Sequence, residues 1–171
     1  MNISDLNAQG LVYTATNQAG ATVTLINTTT ATGFILSNPY GSGKKMVLWN
    51  VEFNYTTVPT ATAVVFIATS AAPNTTQVTH TTPLVVYRAD GSGTSTVSVG
   101  RADSSATTPA VPVYSRALGY SPTTPATTGG LTVSAFLEGS LILVPGTYMQ
   151  ISYITTAPVG MATAIWAEVP V

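Results

Sequence analysis

The sequence predicts an all-β fold, a two-sheet antiparallel sandwich of about 8–10 strands with little or no helix. Three observations carry this. Thr, Val, Ile and Tyr, which suit a pleated and half-buried surface, are abundant, while Leu, Glu, Lys and Gln are scarce. Turn formers recur at short intervals, with 14 Gly and 11 Pro in 171 residues. Several segments alternate apolar and polar residues with period two.

The clearest strand is KMVLWNVEFNY at 45–55. Strict alternation places Val47, Trp49, Val51, Phe53 and Tyr55 on an expected core face, opposite Met46, Leu48, Asn50, Glu52 and Asn54. Residues 147–155 and 161–169 follow the same rule, the latter setting Ala162, Ala164, Trp166 and Glu168 against Thr163, Ile165, Ala167 and Val169. Weaker strands are expected at 11–16, 21–27, 32–37, 62–69, 84–89, 94–99, 111–117 and 131–137. A single sheet rarely holds so many before it splits, so two packed sheets are the economical solution. Segments 69–82, 101–110 and 119–130 are rich in Pro, Ser, Thr and Gly and read as loops. The domain reading is an N-terminal arm at 1–10 and a single sandwich domain at 11–171.

Charged residues make up only 6% of the chain, against about 25% in an ordinary soluble domain. No apolar run approaches the roughly 20 residues of a spanning helix, so a membrane partner is not expected. The 45% hydrophobic content argues against disorder. A net charge of −1 supplies no basic patch for nucleic acid. The expected surface is uncharged and rich in Thr and Ser, and it repels itself weakly. The N-terminus MNISDLNAQG has neither a basic nor an apolar signal region, which predicts synthesis in a cytoplasm.

The run GSGKK at 41–45 resembles a phosphate loop and fails as one. Asn38 stands where the first Gly is needed and Lys45 where the Ser or Thr is needed, and a strand follows instead of a helix. It reads as a tight turn in which Gly41 and Gly43 supply positive φ. DGSG at 90–93 lacks the acidic positions of a calcium loop and reads as a hairpin turn. The one histidine, His80, lies in a Thr-rich segment without acidic neighbours in sequence and reads as a solvated loop residue. One His and no Cys leave no ordinary zinc set. The expectation is therefore no catalytic residue, no cofactor, no metal site and no enzyme. With so few charges, Lys44, Lys45, Arg101 and Arg116, together with Tyr120, are the candidate interface residues. Tyr40, Tyr114, Tyr120 and Tyr148 are candidates for sugar stacking.

Two stretches carry a family resemblance. GFILSNPYGSGKKMVLWNVEFNY at 33–55 joins an aliphatic run, Asn-Pro, a Gly-Ser-Gly-Lys turn and a Val/Leu/Trp-rich strand. LILVPGTYMQISYITTAPVGMATAIWAEVPV at 141–171 leads from a Pro-Gly turn through one strand to a last strand bearing Trp-x-Glu. Both are similar to segments of small capsid decoration, cement or minor structural proteins of tailed bacteriophages. The resemblance implies a jelly-roll or TNF-like sandwich that homo-oligomerises, with a trimer favoured over a dimer. It further implies binding to the major capsid protein or another virion protein on the capsid exterior, and brings no catalytic residues. The alternative is a receptor- or carbohydrate-binding head of a phage fibre or spike.

Overall fold

The computed structural model describes residues 2–25, 28–57, 61–121 and 131–171. In chain order these form helix α1 (Ile3–Ala8), β1 (Val12–Thr16), β2 (Ala21–Thr22), β3 (Thr24–Leu25), β4 (Thr30–Asn38), β5 (Lys44–Thr57) and β6 (Ala63–Thr69). There follow β7 (Thr79–Leu84), β8 (Tyr87–Arg88), β9 (Arg101–Thr107), β10 (Val113–Ser121), β11 (Thr132–Leu143), β12 (Thr147–Thr155) and β13 (Val159–Pro170). One sheet runs β11-β5-β13-β1-β8, with β2 attached to β13. The other runs β10-β6-β12-β4-β9-β7, with β3 lying parallel on β12. The remaining strand pairs are antiparallel. The sheets pack face to face as a jelly-roll-like β-sandwich, the two packed sheets that the alternation predicts and the topology that the resemblance implies.

Between the sheets Phe34, Leu36, Met46, Leu48, Val65, Ile67, Met149 and Trp166 are removed from water altogether. Burial of such side chains stabilises by about 1.5–3 kcal/mol each, which is why the alternating strands close on one another. A smaller cluster of Ala31, Ile35, Val78, Ala106 and Tyr148 lies apart from this core.

The chain between β4 and β5 passes from one sheet to the other, so GSGKK is a crossing turn and no hairpin. Gly41 and Gly43 have φ of 77° and 70°, the left-handed conformation expected of them. Buried Asn38 ties the crossing together. Its Nδ2 donates to the carbonyls of Lys44 and Leu143, both at 2.8 Å, and its Oδ1 accepts from Ser42 Oγ at 2.7 Å. These bonds satisfy carbonyls that the sheets cannot reach at the crossing.

Strand β5 departs from its pattern. Met46 and Leu48 are buried, then Val51, Phe53 and Tyr55, whereas Val47 and Trp49 are only partly covered. The expectation that Val47 and Trp49 face the core is wrong, and the cause is a bulge. Against β13 the register steps from Ile165↔Asn50 to Trp166↔Leu48, and against β11 from Phe136↔Asn50 to Leu141↔Leu48. Against β13 Trp49 is the extra residue, and one extra residue inverts the face of everything beyond it, while β11 loops out residues 137–140 opposite it.

Other segments also differ from expectation. Residues 79–82 and 101–107, read as loop, lie in strands β7 and β9. Residues 94–99, read as a strand, contribute only an isolated bridge from Thr94 to Tyr87. That bridge, with Arg88 N donating to Gly93 O at 2.9 Å, does close the expected turn at 90–93. The segment read as an arm holds α1, which touches β1 and β13 and starts with a capping box of Asn2 and Asp5. Residues 26–27 of the expected strand 21–27, and 122–130 of the expected loop, lie outside the described residues.

Candidate functional site

Two carboxylates are buried in the sandwich, and each organises its surroundings. The first, Glu168, is carried inward on β13 two residues after Trp166. Its oxygens accept from Ser98 Oγ at 2.6 Å, from the Val99 and Gly100 amides at 3.0 Å and from Trp166 Nε1 at 3.3 Å. Lys44 Nζ completes the set at 3.1 Å. Residues 98–100 thus turn their donors onto a carboxylate rather than into a ladder, which explains why 94–99 is no strand. Burial alone pushes the Glu168 carboxyl up, but Ser98, Gly100, Val99 and Lys44 outweigh it and hold it below its ordinary value. The arrangement anchors chain to chain and leaves Glu168 no free valence for chemistry.

The second carboxylate is Asp103 on β9, which is fully buried. Its Oδ2 is bonded to Nδ1 of His80 on β7. The register between β7 and β9 slips twice, at His80/Thr82 and at Thr82/Pro83, next to the imidazole. Oδ1 of Asp103 has no hydrogen-bond partner. Burial raises the Asp103 pKa, and the His80 bond and charge with the Arg101 charge only partly oppose it. The reading of His80 as a solvated loop residue without acidic neighbours is therefore corrected. Its side chain is only 19% exposed and its partner, 23 residues away in sequence, is brought to it by strand pairing.

His80 also borders an open groove of about 440 Å³. It is lined by Leu84, Val85 and Val86 and, on the neighbouring strand, by Arg101 and Ala102. The groove runs along the side where β7 and β8 end their sheets.

The expected interface residues are dispersed. Lys44 is engaged by Glu168, and Lys45 is half-buried opposite Val169. Arg101 is exposed beside the groove. Arg116 and Tyr120 both lie on β10, which ends its sheet on the side away from β7. Strand β11 ends the other sheet there, and the two touch. Tyr120 on β10 and Phe136 on β11 are 64% and 66% exposed, and Val113, Tyr114 and Ile142 are exposed with them. Of the aromatics considered for sugar stacking, Tyr148 is buried, while Tyr40, Tyr114 and Tyr120 are exposed. Among the described residues no three metal-ligating side chains cluster.

No protein-family model, no curated protein and no solved structure matches this chain.

Proposed function

We propose that the chain is a non-enzymatic structural subunit that homo-oligomerises, and that its specific form is a decoration or cement protein bound to the major capsid protein of a bacteriophage. The exposed apolar edge formed by β10 and β11 carries the first half of this reading. Tyr120 and Phe136 lie in it with Val113 and Ile142. Arg116 and Glu138, one charge of each sign, sit on the same two strands with no ion-pair partner among the described residues. Monomers rarely leave large apolar patches open, and a patch with balanced charges suits contact with its own copy. The sequence resemblance and the charge-poor surface support the second half. Each contact made across a shell favours the assembled state by mass action.

Size-exclusion chromatography with light scattering tests the proposal. The expected result is an oligomer, a trimer before a dimer, that becomes monomeric in the Tyr120→Asp/Phe136→Asp double variant and co-sediments with capsid shells. A wild-type monomer at micromolar concentration that leaves shells unbound overturns it. Exposed Tyr114 packs on Phe66 with ring centroids 4.6 Å apart, which favours a sugar-binding head as the second reading. Glycan-array binding that is lost in Tyr114→Ala supports that reading.

A further inference from the structure

Where this fold buries a carboxylate for stability, it saturates it, as Glu168 demonstrates. Asp103 is equally buried, has one partner and keeps an orphaned oxygen. Such a group costs stability, and unsatisfied buried polar atoms concentrate where a site needs them. What Asp103 does is hold the imidazole of His80 by Nδ1 at the border of the groove. An imidazolium so held has Nε2–H as its remaining donor. Arg101, on the same strand as Asp103, brings a guanidinium without a hydrogen-bond or ion-pair partner among the described residues to the same groove. Leu84, Val85 and Val86, which line the groove with them, are apolar, and Val85 is half exposed.

From this juxtaposition we propose that the groove binds a carboxylate carried on an apolar stem, with Arg101 and His80 taking the carboxylate and Leu84, Val85 and Val86 the stem. The volume of about 440 Å³ is within the range of small-molecule sites, and the composition matches their usual form of apolar walls with a few convergent polar groups. Neither buried carboxylate lines the groove. Asp103 lies behind the imidazole that it binds, and Glu168 is bonded to Ser98 and Gly100, which do line it. The charged and titratable groups around His80 are Asp103 and Arg101 from β9, and the phenols of Tyr40 and Tyr148 at the hollow on its other side. The site is at the β7–β8 edge, so contact between copies through β10 and β11 leaves it open, and either reading stands if the other falls.

Titration of the full-length ¹⁵N-labelled protein with octanoate tests the site. Saturable amide shifts are expected at residues 80–88 and 95–103. Affinity is expected to fall at least about tenfold in Arg101→Gln and in His80→Gln, with 1-octanol binding far more weakly than octanoate. The spectrum of each variant reports its folding, and exposed Arg101 is the safer substitution. Equal response to octanol, shifts gathered on β10 and β11 instead, unchanged affinity in Arg101→Gln, or no binding at all overturns the proposal.

Discussion

Glu168 and Asp103 are buried alike, yet Glu168 receives five donors and Asp103 receives one. Their titration moves in opposite directions as a result, Glu168 down and Asp103 up. Burial penalises both, and the count of donors decides which effect wins. Inside one sandwich a buried carboxylate thus acts either as an anchor or as a liability, according to how many N–H and O–H groups the backbone can turn toward it.

The largest expected effect comes from breaking the anchor. Glu168→Gln confronts Ser98, Val99 and Gly100 with an amide that must donate where every neighbour donates. A loss of about 3 kcal/mol is expected in urea unfolding, from the usual magnitude of charge-assisted bonds and unpaired buried groups. The native pKa of Glu168 is depressed, so its contribution is present above the unfolded value and lost as pH falls through the native one. The acid limb of the stability curve is therefore expected to be shallower in the variant. A change under about 0.5 kcal/mol would dissolve the contrast between the two carboxylates.

Asp103→Asn tests the other side and has the opposite sign. The native Asp103 pKa is raised, so the folded state holds its proton more tightly than the unfolded state does. Stability from this group is full below the unfolded value and falls as pH rises through the native value. A neutral amide of the same shape is expected to raise stability at neutral pH by on the order of 1 kcal/mol, with the gain shrinking as pH falls. Thermal unfolding of wild type and variant across pH checks this, and a variant less stable at neutral pH would make Asp103 an anchor too.

The smallest effect is expected from Lys44→Met. Its side chain is 30% exposed, and Glu168 keeps four other donors, so about 0.5 kcal/mol is expected by double-mutant cycle with Glu168→Gln. A coupling of several kcal/mol would move the weight of the anchor from the amides to the ion pair.

Strands with long alternation were legible because their pattern is local. Residues 147–155 and 161–169 lie within strands β12 and β13, and the glycines of 41–43 turn with positive φ as their chemistry demands. Segments 79–82 and 101–107 were not legible as strands, because THTT and RADSSAT carry no apolar face of their own. They are strands because β4 offers an open edge to β9, and β9 in turn to β7. The His80–Asp103 pair was hidden for the same reason. A lone histidine and a lone aspartate, 23 residues apart in segments that read as loops, give no local cue. Trp-x-Glu at 166–168 was visible as a motif, but not the donors from residues 98–100 that give the glutamate its role.

From its residues alone the chain specifies an all-β sandwich and the tight turn after Asn38, because periodicity, β-propensity and turn chemistry act over a few neighbouring residues; that the turn crosses between sheets is a tertiary outcome. Tertiary structure decided which face of β5 turns inward, since the bulge at Trp49 exists only against β11 and β13. It also decided the state of each buried carboxylate, since the 70 residues between Ser98 and Glu168, and the 23 between His80 and Asp103, are spanned only once the sheets have formed.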